Sequence, residues 1–191
     1  MRPFIALLIV LCASAARAHA GDPAGISSFV AGFEHPLFGL EHLAAMLAVG
    51  MWSAQSLRQP LRGPLLFGVF LLLGALGTMA WGFTWPAVEP GIAVSLLVLG
   101  LLVAARSALP AWAGGLLIAA FALCHGAALD ATQGGAPSGF WALAGLAVAT
   151  VLLLAAGLVL GHLLKSGPAL AARLLGAPVI VLGVARLAGA A

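Results

Sequence analysis

Long apolar segments constrain this chain more than any other feature. Hydrophobic residues make up 63% of its 191 positions, and only eight basic and five acidic residues are present. Such a composition leaves too little polar surface for a soluble globular domain. Because a bilayer offers no water to the backbone, segments of this length should be helices. We therefore predict an all-α polytopic membrane protein, with a single transmembrane domain over 21–191 and six helices at 36–55, 63–83, 89–106, 111–130, 139–163 and 169–189.

The first twenty residues have the pattern of a secretory leader. Arg2 forms a short positive region, residues 4–13 are apolar, and small residues follow. Small-x-small sites predict cleavage after Ala18 or Ala20. An uncleaved first helix is the alternative, but the apolar run is short for about 30 Å of hydrocarbon. We predict a cleaved signal peptide over 1–20.

The charges are distributed unevenly between the two sides of this topology. Counting from a secreted N-terminus, the inner connections carry the basic residues Arg58, Arg62, Arg106, Lys165 and Arg173. The outer side receives every acidic residue, namely Asp22, Glu34, Glu41, Glu89 and Asp130. Positive-inside bias predicts N-out and C-out, with Arg186 as the exception. The basic residues form no patch, so we expect no nucleic-acid partner.

Ionisable residues are concentrated at the start of the first apolar segment. His35, Glu41 and His42 lie within eight positions of one another. Ionisable groups are costly in a membrane and indicate by default a functional site inside the bundle. The alternative is that these groups sit idle in the headgroup region.

The spacing of the two histidines limits how they can act together. His35 precedes Pro36, a good first helical residue, so we expect His35 at the helix cap. His42 follows seven residues later, on the same face but about 10 Å further along a straight helix. Either the cap bends back around Gly39, or the two histidines are successive stations on a path.

The fourth predicted helix contains a second group of candidate ligands. His125 lies at a depth similar to that of His42, and Asp130 lies near the mouth. One site shared by the first and fourth predicted helices is therefore plausible. Imidazole with carboxylate suits nickel, cobalt or zinc. Cys124 is either a soft ligand or a small buried hydrophobe.

Three further residues have open roles. Glu89 begins the third predicted helix, where a carboxylate either complements the helix dipole or captures a cation. His162 lies near the inner surface and is either an exit ligand or an interfacial side chain. His19 would join the new α-amine in a chelate if cleavage follows Ala18.

At the first helix the sequence resembles the HupE/UreJ family of bacterial membrane proteins, which are accessory to nickel hydrogenases and ureases. The family pattern is close to Gly-Phe-x-His-Pro-x-x-Gly-x-Asp-His-x-x-x-Met. Residues 32–46 match this pattern with Glu41 in place of the Asp. The resemblance extends over the whole chain in leader, length and helix number.

The resemblance implies a permease for nickel or cobalt in the bacterial inner membrane. It implies metal handling by His35, Glu41 and His42, with Glu89 as a further match. The fourth helix departs from the family's His-Gly-x-Ala-His-Gly-x-Glu run, since only His125-Gly126 and Ala128 match. Asp130 would then replace the missing carboxylate.

These observations favour secondary transport over other functions. The chain has no nucleotide-binding loop, so a gradient or a separate partner must supply energy. We expect no enzymatic activity and no permanently bound cofactor, with a divalent metal ion and the bilayer as partners and a homo-oligomer left open. The alternatives are a metal sensor without flux and a haem-binding electron carrier. An intramembrane serine protease is disfavoured, because Ser138 and His162 are predicted at opposite membrane surfaces.

Overall fold

The computed structural model describes residues 26–81, 86–131 and 139–189, and this part of the chain is helical apart from short connections. The leader with both cleavage sites, His19 and Ser138 lie outside the described residues. No strand occurs within the described ranges. These ranges form seven helices, α1 (Ile26–Phe38), α2 (Leu40–Ser56), α3 (Arg62–Trp81), α4 (Val88–Ala105), α5 (Ala111–Ala131), α6 (Phe140–Lys165) and α7 (Ala169–Leu187). The predicted all-α class is confirmed.

Five of these helices are long and apolar enough to span a membrane by themselves. Taken together, α1 and α2 also pass this test as the first candidate span, and their axes bend by 72° at Gly39. The large apolar side chains of α3 at Leu65, Val69 and Leu73 are exposed along one face, as expected of a surface that meets lipid. The chain is thus a multi-pass membrane protein.

The start of the first helix was predicted wrongly. We expected it at Pro36, with His35 as its cap, but the chain is helical from Ile26 and Pro36 lies inside α1. The early residues become helical because they pack on α6. A Cβ atom at Gly32 would meet the backbone of Ala142, and one at Gly145 would meet that of Phe29. These glycines permit backbone contact between α1 and α6, a tertiary stabilisation that the local composition does not indicate.

α2 is the central helix of the described bundle. It contacts α1, α3, α4, α6 and α7, and ten of its 17 residues are buried. Gly50 and Gly157 allow α2 and α6 to approach closely, since a Cβ on Gly50 would lie 2.6 Å from Leu158 N. Because neighbouring helices surround α2, its polar side chains face protein rather than lipid.

At the end of the bundle away from Gly39, hydrogen bonds join the ends of helices to the short connections between them. Trp52 donates from Nε1 to Ser107 O at 2.7 Å. Arg106 ends α4 in the left-handed conformation, with φ of 51°. Its Nη2 lies within hydrogen-bond distance of three carbonyls where α6 ends and the turn to α7 follows, those of Leu164 at 2.7 Å, Gly167 at 3.0 Å and Pro168 at 3.0 Å.

Candidate metal site

The break at Gly39 brings the two histidines of the first span together. His35 lies in the last turn of α1 and His42 in the first turns of α2. Their ring centroids are 4.9 Å apart with planes at 76°, far closer than the about 10 Å of a straight helix. The structure therefore shows the bend around Gly39 that the spacing left open.

His125 of α5 extends this pair to a row of three imidazoles. Its ring lies 5.0 Å from that of His42, again nearly perpendicular, so His42 is the middle member. His42 is 6% exposed and His125 is fully buried, whereas His35 is only half-buried. We call His35, His42 and His125 the histidine row. The structure therefore brings the first span and α5 together at His42 and His125, as their depths suggested.

Hydrogen bonds hold the two inner rings. His42 donates from Nε2 to the backbone carbonyl of His125 at 2.9 Å. Nε2 of His125 lies 2.8 Å from Ser95 Oγ, and that hydroxyl donates to Ile92 O at 2.7 Å. Sequence reasoning missed Ser95. The available signal was its position as the lone hydroxyl within the apolar α4.

Two nitrogen atoms of the row remain unpartnered in the described structure. Nε2 of His35 and Nδ1 of His125 are buried without a hydrogen-bond partner. Phe67 lies against His125, with ring centroids 6.0 Å apart, and is itself fully buried. Within the described residues, no three His, Cys, Asp or Glu side chains converge in a ready-made metal cage. The row is thus a succession of imidazoles rather than a closed coordination shell.

Glu41 is paired with Arg186 of α7. Its carboxylate accepts a hydrogen bond at Oε1 from Arg186 Nε at 2.6 Å, and Arg186 Nη2 completes the ion pair. Glu41 therefore contacts a neighbouring helix, α7. Arg186 was the basic residue that did not fit the charge asymmetry, and this ion pair explains its position.

The remaining candidates lie outside the row. Glu89 is exposed in the first turn of α4. Cys124 is half-buried in the core beside Gly91, where a Cβ would lie 2.7 Å from its Sγ. His162 is exposed in the last turn of α6, next to Gly161, which packs on the later part of α2. Asp130 belongs to α5, but its side chain lies outside the described part.

The fold and the site define a class of protein: a polytopic helical membrane protein with a buried imidazole row beside a broken span. A family model described as HupE / UreJ protein matches residues 7–186, which shows that the chain belongs to the HupE/UreJ family. Protein HupE of Rhizobium leguminosarum bv. viciae is 33% identical over 183 residues, 92% of each chain. No solved structure matches the chain.

Proposed function

We propose that this protein carries nickel or cobalt ions across the bacterial inner membrane by secondary transport and so supplies a nickel enzyme such as a hydrogenase or urease. Membership of the HupE/UreJ family supports an accessory role of this kind. The observation that carries the proposal is the histidine row at the break between α1 and α2. Neutral imidazole nitrogen is a preferred ligand of borderline divalent ions such as these.

Burial increases along the row in the order expected of an entry path. His35 is half-buried, His42 is 6% exposed and His125 is fully buried. Conduction needs binding that is favourable enough for entry and weak or multi-site enough for release. Three imidazoles at successive separations of 4.9 Å and 5.0 Å provide such stepwise contacts.

The electrostatics of the row favour transient binding over storage. Glu41 is the carboxylate adjacent to His42 in sequence, and Arg186 neutralises it. The inner ligands are then uncharged rings, which bind a divalent ion less tightly than a carboxylate-rich cage. This favours a permease over a metal buffer or sensor.

The described geometry also favours an ion over a haem. A haem held by two histidines has its macrocycle between their rings. The rings of His42 and His125 are only 5.0 Å apart, and Nε2 of His42 already donates to His125 O.

Uptake of radiolabelled nickel in a nickel-limited host tests the proposal. We expect the protein to increase uptake and His42→Ala to abolish the gain. Ser53→Ala is the matched control, because Ser53 is fully buried on the same helix as His42, its Oγ has no hydrogen-bond partner, and it lies outside the row. Competition with cobalt and zinc then defines the ion. Equal uptake with wild type and His42→Ala would contradict the role of the row, and equilibrium binding without flux in proteoliposomes would identify a sensor.

A further inference from the structure

Ser95 touches the histidine row from α4 and has no exposed surface. Its Oγ lies 2.7 Å from Ile92 O and 2.8 Å from His125 Nε2. A serine hydroxyl has a single proton to donate and lone pairs to accept with. The chemistry of the two partners therefore determines which group donates in each bond.

The carbonyl of Ile92 can only accept, so the proton of Ser95 belongs to that bond. The oxygen of Ser95 then presents only lone pairs to His125, and Nε2 of His125 must donate to it. A neutral imidazole carries one N–H, so the hydrogen-bond network assigns the lone pair of His125 to Nδ1. Nδ1 is the atom left buried without a partner. Burying an unpaired lone pair at Nδ1 costs less free energy than burying an N–H group without an acceptor would.

The same reasoning applies to His42. Its Nε2 lies 2.9 Å from the carbonyl oxygen of His125, which can only accept, so Nε2 carries the proton and Nδ1 the lone pair. Nδ1 of His42 faces Gly39, where a Cβ atom would lie 3.5 Å from it. Because Gly39 has no side chain, no Cβ atom covers that nitrogen at the break.

We propose that Ser95 is a positioning residue that fixes the Nε2–H tautomer of His125, so that Nδ1 of His125, like Nδ1 of His42, carries the lone pair that can bind a divalent cation. Outer hydrogen bonds of this kind set the tautomer and orientation of metal-binding histidines. The identity of the cation rests on the proposed function. The tautomer is a property of the metal-free protein and can be measured without transport.

Nitrogen NMR of metal-free protein with ¹⁵N-labelled histidine tests the assignment. The resonances of His125 are identified from their loss in His125→Gln. We expect a protonated Nε2 and an unprotonated Nδ1 in the wild type. Ser95→Ala removes the acceptor, so both ring nitrogens should shift towards mixed tautomers, while Ser95→Thr, which keeps the hydroxyl, should restore the wild-type pattern.

Ser53→Ala is the matched control. Ser53 is also fully buried, but its Oγ has no hydrogen-bond partner and lies on α2 away from the row. We expect Ser53→Ala to leave the His125 spectrum unchanged. In Ni²⁺ titrations Ser95→Ala should weaken binding by about 10–100-fold, the usual effect of removing an outer hydrogen bond at a metal site. Ser53→Ala should bind as the wild type does.

A wild-type spectrum with protonated Nδ1 at His125 would overturn the proposal, as would a His125 spectrum unchanged in Ser95→Ala. If Ser95→Ala does not fold, the wild-type and Ser95→Thr spectra still decide the tautomer. The proposed function fails in a different way. If the wild type accumulates no nickel while Ser95→Ala still changes the tautomer of His125, the transport function is contradicted and the role of Ser95 is not.

Discussion

Arg186 in the last turn of α7 donates from Nε to Oε1 of Glu41 at 2.6 Å, and this ion pair joins residues 145 positions apart in the chain. The ion pair connects the last turn of α7 to the first turn of α2, where Glu41 is adjacent to His42. The pair therefore combines a structural role with control of the charge next to the histidine row.

We expect Arg186→Met to destabilise the protein by about 1–3 kcal/mol, because it leaves a partly buried carboxylate without its charged partner. Glu41→Gln in the same chain should recover part of this loss, since it removes the uncompensated charge. Thermal unfolding in detergent of both single variants and the double variant measures the coupling. Arg173→Met is the control, because Arg173 is exposed on the same helix. Additive losses in the double variant would contradict the coupling.

Gly39→Ala should impair nickel uptake more than it impairs folding. The backbone of Gly39, with φ of −75° and ψ of 100°, is open to alanine. A Cβ there would lie 3.0 Å from His35 O, which crowds the break, and in ordinary contact at 3.5 Å with His42 Nδ1, where it would cover the ligand atom. Gly77→Ala is the control, since a Cβ there meets nothing within 4 Å. Uptake assays with thermal unfolding measure both effects, and unimpaired uptake in Gly39→Ala would refute the crowding.

Gly145→Ala should displace α1 from α6 and thereby move His35. A Cβ at Gly145 would meet the backbone of Phe29, and backbone cannot move aside as a flexible side chain can. We expect reduced uptake and a lower unfolding temperature. Gly115→Ala is the matched control, because its Cβ would make an ordinary contact of 3.7 Å with Leu66. Equal behaviour of the two variants would show that the contact between α1 and α6 is dispensable.

Arg106→Ala should reduce stability without a specific effect on the histidine row. It removes the donor to the carbonyls of Leu164, Gly167 and Pro168, a loss we place at about 1.5–3 kcal/mol, the range for a hydrogen bond to a charged group. Arg106→Gly should be less harmful than Arg106→Ala, because glycine adopts φ of 51° without strain. Denaturation in detergent checks the order of the variants, with exposed Arg58→Ala as control. A lower stability of Arg106→Gly than of Arg106→Ala would contradict this prediction.

Within the described residues, the apolar segments after the first were predicted to within two residues at each helix end. The predicted 63–83, 89–106 and 169–189 correspond to Arg62–Trp81, Val88–Ala105 and Ala169–Leu187. Their signals are local, because apolar length and the flanking Pro, Gly and charged residues mark where a membrane helix ends. The signal peptide, the orientation and the transported ion stay predictions.

The sequence by itself determined the class of protein, the number of candidate spans and the histidines worth examining, since composition and motif are properties of the chain alone. Only the tertiary structure decided that α1 exists and that His35 reaches His42. Residues 26–35 are helical because Gly32 and Gly145 let α1 lie against α6, and the chain then turns by 72° at Gly39. Helix packing likewise decided that Arg186 forms an ion pair with Glu41 and that Ser95 forms a hydrogen bond with His125, since these residues are distant in sequence. These pairings follow from the way the helices pack, which no local pattern encodes.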